Sequence, residues 1–516
     1  MVASWLSAAE LGDAGKRWWA HVVWLADDRL EGRATASAGH RKAAEYVAAE
    51  FERAGLKPLS GSGYLQPVRL RARRLAEERS SLTLIRSGGR RVPLTLGEHA
   101  IISLRADPPR RLRAPLVFAG YGLSMPEARY DDFAGLDLRG KIAVYISGGP
   151  PEVSGSVLAH YQSADERGKA LARAGAVGAI SIANPGTSDL PWARVSGNRL
   201  APSMSLREGA SRERRLSVTF NPARAVMLFE GAPQQFPELL ALANERKPLP
   251  RFPLPASLEA TAAVERSEEL SENVAGVLPG SDAALSKQAV VISAHLDHLG
   301  RGRAIGGDDI YNGAMDNASG AASLIEIAAS MHLDRKPLRR SVVFVAVTAE
   351  EKGLLGSQYF AQQSGTSLIA CLNLDMFLPL FALRRLTVMG LEESGLGDRV
   401  RAVAAPLGVE VEPDPEPRRN RFIRSDQYSF IRRGIPSLAF KLGYEKGSPE
   451  EATARRWIAE RYHAPSDDTA QPVDLEAAAR FNHLIRLLVE DVANNPRTPE
   501  WSRESFFRRF ASSSPR

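Results

Sequence analysis

From residue 289 onward, short apolar runs alternate with amphipathic stretches. Strands are predicted over 289–294, 341–347, 368–374 and 436–440, and helices near 317–332, 356–364, 394–405 and 473–492. The strand runs are continuously apolar rather than alternating, as in Ala289-Val290-Val291-Ile292, which is the pattern of strands buried on both faces. Strand and helix in regular succession predict an α/β fold: a mostly parallel mixed sheet sandwiched by helices. In such sheets ligands bind outside the carboxyl ends of the strands, so the residues just after each apolar run carry the functional question.

The first half of the chain has a different texture. Residues 4–26 read as an amphipathic helix, and Ala43, Ala44, Tyr46, Val47, Ala48 and Phe51 recur at helical spacing before Gly55 and Pro58. Residues 64–103 break into short strand-like segments. From Ala114 onward, strands are predicted over 116–119, 142–146 and 177–182, with a helix over 165–174. This block holds one histidine, His160, and no clustered acids, and it reads as an inserted, smaller, β-rich α+β domain. The run Lys247-Pro248-Leu249-Pro250-Arg251-Phe252-Pro253-Leu254-Pro255 reads as the linker back to the first body. The expected organisation is therefore 1–105 as the N-terminal part of the main domain, 106–240 as the insertion, 241–495 as the rest of the main domain, and 496–516 as a flexible tail rich in Pro and Ser.

Length and composition narrow this only slightly. A chain of 516 residues exceeds what one core usually spans, and 44% hydrophobic with 25% charged residues is an ordinary globular composition. The net charge of +7 comes from scattered Arg and Lys without a basic face interleaved with aromatics, so no nucleic-acid partner is expected. No segment reaches the apolar length of a membrane span. Trp18 to Ala26 after Lys16-Arg17 could pass for a signal-peptide core, but it contains His21 and leads into Asp27-Asp28-Arg29, which favours a helix. The compartment stays open on this reading: cytoplasmic, or exported if a leader precedes this sequence. The one cysteine, Cys371, lies in an apolar run and is expected to be a small buried hydrophobe.

The ends of the apolar runs carry the chemistry. His295 and Asp297 follow the first, Glu350-Glu351 the second and Asp375 the third, while Tyr462-His463 lies in a later loop and Asp316 in the connection after the first strand. Any one acid in such a place is most simply a helix cap or a solvated loop residue. Four elements that bring Asp, Glu or His to one edge point instead to a metal site.

Several strings resemble the co-catalytic zinc aminopeptidases and their glutamate carboxypeptidase and transferrin-receptor relatives. They are Ala294-His295-Leu296-Asp297-His298, Gly313 to Gly320, Glu350 to Ser357, Asn373-Leu374-Asp375, Arg424-Ser425-Asp426 and Tyr462 to Asp468. Tyr130-Asp131-Asp132-Phe133 and Leu138 to Val144 resemble the protease-associated domain that such enzymes carry as an insertion.

The resemblance implies a zinc exopeptidase fold and two Zn²⁺ ions. His295 and Asp375 would complete one, Glu351 and His463 the other, with Asp316 bridging, and peptides would be the substrates. It implies removal of N-terminal residues through a metal-bridging hydroxide, with Glu350 as general base. Asp297 is expected to accept a hydrogen bond from the His295 imidazole and orient it. Tyr462 is either a donor to the tetrahedral oxyanion or a packing tyrosine. Arg424 and Asp426 either contact substrate or pair with each other as a structural ion pair. His298 is expected to be structural. Two alternatives remain on the same fold: a carboxypeptidase, and a non-catalytic receptor or binding protein, the last opposed by the intact ligand set.

Overall fold

A computed structural model describes residues 5–59, 61, 63–188, 190–208, 214–334, 336–419 and 421–511. The chain forms two compact units: Met1–Arg69 with Glu269–Pro417 and Arg421–Arg516, and Leu70–Glu268 with Arg418–Asn420. The second unit is thus wider than the expected 106–240.

The first unit is built on a mixed sheet whose main strands, in chain order, are β1 (Val264–Leu278), β2 (Gln288–His295), β3 (Ser341–Val347), β4 (Ser367–Asn373), β5 (Arg385–Met389), β6 (Glu410–Pro413) and β7 (Ser437–Leu442). Their spatial order is β1-β3-β2-β4-β7-β5-β6. β3, β2, β4 and β7 run parallel, as do β5 and β6, whereas β1 on β3 and β5 on β7 are antiparallel. Every residue of β3 is buried, as its Val-rich sequence requires. The helices are α1 (Ala8–Leu25), α2 (Ala38–Arg53), α3 (Ser319–Asp334), α4 (Leu355–Gln363), α5 (Leu396–Ala404), α6 (Gln427–Ile431), α7 (Pro449–Glu460) and α8 (Leu475–Asn494).

Alternation along the strands sends side chains to two cores. Val290, Ile292, Leu372, Leu374, Leu438, Phe440 and Leu442 face a large core shared with α1, α3 and α8, where Phe377 stacks on Phe481 at 4.1 Å. Val291, Val343, Val345, Val347 and Cys371 face the other, under Phe360 of α4 and Phe430 of α6. The sandwich of helices on both faces is as the periodicity predicts. The first helix starts at a capping box, with Ser7 accepting from Glu10 N and Glu10 accepting from Ser7 N, and buries Leu11, Trp18, Val22 and Leu25. Among the described residues, no helix is long and apolar enough to cross a membrane.

The second unit holds an eight-stranded mixed sheet in the order Arg91–Leu94, Ser81–Arg86, Arg251–Thr261, Arg111–Ala119, Ile142–Ile146, Gly178–Ile182, Leu216–Phe220, Ala100–Ile102. Three features differ from expectation. The Pro-rich run is not all linker: Arg251–Thr261 is an interior strand, and its register shifts between Pro253 and Ser257, where the prolines have no N–H to give the ladder. The charged stretch after Gly443, where the periodicity predicts no helix, forms α7, anchored by buried Trp457, whose Nε1 donates to Gln471 Oε1 at 2.6 Å. The expected tail is ordered as far as it is described: Trp501 and Phe507 are buried, and Trp501 Nε1 donates to Gly434 O at 2.8 Å. Residues 512–516 lie outside the described residues. Asp132 of the Tyr130 to Phe133 string is structural, accepting from Tyr121 N and Leu123 N at 3.1 Å and from the Tyr130 hydroxyl at 2.6 Å.

Candidate metal centre

Parallel strands in one register deliver their next residues side by side. Ser293 pairs with Asn373 across β2 and β4, so His295 and Asp375, two positions further on, emerge on the same face at the same carboxyl edge. His295 Nε2 lies 3.2 Å from Asp316 Oδ1 and 3.6 Å from Asp375 Oδ1. His463 Nε2 lies 3.1 Å from Asp316 Oδ2 and 3.4 Å from Glu351 Oε1. The five residues expected as ligands are therefore brought together, with Asp316 between the two imidazoles.

A sixth residue joins them. His298 is fully buried, and its Nδ1 stands 2.9 Å from Glu351 Oε1 and 3.8 Å from Asp316 Oδ2. Sequence reasoning set it aside as structural; the available signal was the pair of histidines three residues apart, His295 and His298, flanking a strand end. Two potential metal-ligating triads result, His295 with Asp316 and Asp375, and His298 with Asp316 and Glu351, each with donor atoms within 4.8 Å of one another.

The residues present fit a cation. Among the described residues, Asp316 Oδ2, Glu351 Oε1, Asp375 Oδ1 and both ring nitrogens of His298 are buried without a hydrogen bond, so their close approaches are not hydrogen-bonded pairs. Buried polar atoms left in this way are costly, and several aimed at one region mark a site for something else to bind. The protonation balance says the same. Burial opposes charge on Asp316 and Glu351, but His298, His295 and His463 outweigh it for Asp316, and His463 and His298 for Glu351, holding both carboxyls well below the usual range. Burial likewise opposes charge on His295, but Glu350, Asp316 and Asp375 prevail and lift it well above the usual imidazole range. The carboxylates thus recruit protonated imidazoles where a cation would serve.

Several local devices hold this arrangement. Gly313 has φ +60, and a Cβ there would collide with the Asp316 carbonyl oxygen and the His298 ring. Asp467 accepts from the backbone N–H of Met315 at 2.9 Å and of Asp316 at 3.0 Å, and from Gln471 Nε2 at 2.7 Å, pinning the turn that carries Asp316. Fully buried Arg33 donates to the carbonyls of Leu25, Leu296, Asn312 and Gly313, tying the His295 and Asp316 loops together.

Asp297 acts differently from expectation. His295 Nδ1 meets the backbone carbonyl of Asp297 at 3.0 Å, not its carboxylate. With Nδ1 turned to that carbonyl, Nε2 is the ring nitrogen that faces Asp316 and Asp375. The carboxylate accepts instead from Glu350 N at 3.0 Å and from the Thr35 hydroxyl at 2.7 Å, so it positions the Glu350 backbone. Both carboxylate oxygens are thus taken up by donors other than the imidazole.

Glu350 itself sits beside the cluster, its carboxyl raised well above the usual range by burial, with Glu351, Asp426 and Asp375 adding to the effect. The Tyr462 ring lies against the His463 ring at a tilt of 38°, centroids 4.1 Å apart, and burial pushes its phenol up to about 12, so it remains an O–H donor. Among the described residues Arg424 and Asp426 do not form the ion pair that was one of their two expected roles: Asp426 is 0% exposed while Arg424 is exposed. That burial lifts the Asp426 carboxyl to about 7.

Residues 273–489 match the model of Peptidase family M28. All of the ligand candidates and Glu350 fall inside the matched M28 segment, which identifies the chain as a metallopeptidase. Solved structures share the M28 fold at low identity. An aminopeptidase from Aneurinibacillus sp. strain AM-1 is 19% identical, with 97% of this chain and 98% of that chain covered and a TM-score of 0.57. A zinc aminopeptidase from Bacillus subtilis is 20% identical, with 94% and 96% covered and a TM-score of 0.51.

Proposed function

We propose that this M28 peptidase is a two-zinc aminopeptidase that removes N-terminal residues from peptides. The observation that carries the reading is the pair of carboxylate–imidazole triads meeting at Asp316, in which buried oxygens have no hydrogen bond. A carboxylate shared between two such groups suits two ions a few ångströms apart, and a set of imidazole and carboxylate donors suits Zn²⁺. His295, Asp316 and Asp375 would hold one ion, and Asp316, Glu351 and His463 the other, with His298 beside Glu351. When bound, the pair would polarise the scissile carbonyl and acidify the attacking water.

The chain's own groups do the rest. Glu350, anchored through its N–H by Asp297 and carrying a carboxyl that burial makes more basic, accepts the proton of the attacking water and returns it to the leaving nitrogen. The Tyr462 hydroxyl donates toward the carbonyl oxygen as it gains charge. The similarity of the whole chain to structures named as aminopeptidases supports N-terminal trimming over carboxypeptidase action. For residues 106–240, the Tyr130 to Phe133 and Leu138 to Val144 strings support a protease-associated domain.

The test is zinc content by elemental analysis after reconstitution, together with hydrolysis of free and N-acetylated leucyl reporters. Two zinc ions per chain and turnover of the free-amine reporter alone are expected. Equal turnover of both reporters would refute aminopeptidase specificity. Zinc binding with no turnover of either would favour the non-catalytic reading.

A further inference from the structure

The row that delivers His295 and Asp375 does not stop at Asp375. Asn373 of β4 pairs in parallel with Ala439 of β7, so the position level with Asp375 on the next strand is Lys441. Leu438, Phe440 and Leu442 face the large core, which places Lys441 on the opposite face, the one that carries His295 and Asp375. Adjacent strands lie about 4.8 Å apart, so the lysine stands one strand from Asp375 and two from His295. It is the only residue of β7 that is not fully buried.

A lysine in an interior strand among five buried neighbours is an expensive choice unless something uses it. Lys441 makes no hydrogen bond and no ion pair among the described residues, not even with Asp375. The neighbouring Arg421 is already matched, to Asp414 at 3.3 Å and Glu416 at 2.7 Å. Burial chiefly, with Arg421 and Arg424 adding to it, lowers the ammonium's affinity for its proton, and Asp375 and Asp316 oppose them. Lys441 is thus a cation facing the metal-site carboxylates without touching them. An ion bound there would neutralise those carboxylates and leave the ammonium in need of an anion.

Resting on the aminopeptidase reading above, we propose that Lys441 is a specificity residue that binds a carboxylate of the substrate beside the metal centre. Two carboxylates lie within reach of a scissile bond: an acidic side chain on the residue being removed, and the C-terminal carboxylate of a dipeptide. Both present the same chemistry to the ammonium, a charge-assisted hydrogen bond.

The experiment compares the zinc-loaded parent with Lys441→Met and Lys441→Arg on two matched pairs: leucyl-leucine against leucyl-leucinamide, and glutamyl- against glutaminyl-p-nitroanilide. Lys441→Met is expected to lose about 10- to 100-fold in kcat/KM, through KM, on the carboxylate member of one pair, and to stay within about twofold on its neutral partner. Zinc content should be unchanged, and Lys441→Arg should restore most of the loss. The pair that responds identifies the source of the carboxylate. Equal losses on charged and neutral members, or none on either, overturn the proposal, as does a parent that turns over both neutral members faster than their carboxylate partners. If a variant fails to fold, that parent comparison still decides. A parent that cleaves neither pair sinks the aminopeptidase reading and this proposal with it; cleavage without charge discrimination sinks this proposal alone.

Discussion

Replacing Asp467 by alanine tests whether the turn carrying Asp316 is held from outside the ligand set. Its carboxylate is fully buried and accepts from two backbone N–H groups, of Met315 and Asp316, and from the Gln471 amide. Truncation strands both backbone donors in a site too tight to hydrate freely. Each buried N–H without an acceptor costs about 1–3 kcal/mol, so the pair costs about 2–6 kcal/mol of the unit's stability. Arg33, whose charge Asp467 helps to balance, gains nothing in exchange. Urea unfolding of the metal-free protein, followed by tryptophan fluorescence, should show that loss as a lower midpoint with an unchanged slope. A chelator competition should show zinc binding weakened by about 10- to 100-fold, since the turn that presents Asp316 is no longer fixed. Asp467→Asn keeps one acceptor oxygen but turns an NH₂ toward the other donor, and should fall between. If Asp467→Ala matched the parent in both midpoint and zinc affinity, the carboxylate would not be what positions Asp316.

Three further outcomes follow from the geometry. Glu350→Gln should bind zinc as the parent does and lose about 10²- to 10⁴-fold in kcat, read by elemental analysis alongside leucyl reporter hydrolysis. His298→Ala should weaken zinc by about 10-fold or more in the same chelator competition, because Glu351 loses the imbalance-relieving imidazole at 2.9 Å; unchanged affinity would return His298 to a packing role. His40 is fully buried, and burial together with the Arg33 and Arg41 charges lowers its pKa to about 3. Below its unfolded value of 6.5 only the unfolded chain takes that proton, so stability is unaffected above pH 6.5 and falls as pH drops from there toward 3. At pH 5 the loss is about 2 kcal/mol, and His40→Gln should flatten the dependence of the urea midpoint between pH 7 and 5.

The catalytic unit was legible in the sequence because its signals are local. Continuous apolar runs mark strands buried on both faces, and β3 spans 341–347 as predicted. A histidine or acid directly after such a run must emerge at the carboxyl edge, which is why His295, Glu351 and Asp375 could be named before any register was known. The Tyr462-His463 loop and Asp316 lack that local logic: they read as a loop and a connection near the same edge, and their roles as ligands come from the resemblance.

What only the tertiary structure decided concerns directions and distant partners. The sequence places Asp297 near His295 but cannot say that its backbone carbonyl, rather than its carboxylate, meets the ring. His298 looked like a neighbour of the site until the Gly313 turn brought Asp316 and Glu351 against it. The prolines of 251–255 read as linker because a missing N–H argues against a ladder, and only the pairing shows the register shift that absorbs them. Lys441 is one basic residue among 67 Lys and Arg along the chain; it stands beside Asp375 only because β4 and β7 pair in one particular register. Local pattern determines which residues end a strand, whereas register and loop closure, set by contacts far apart in the chain, determine what each of those residues faces.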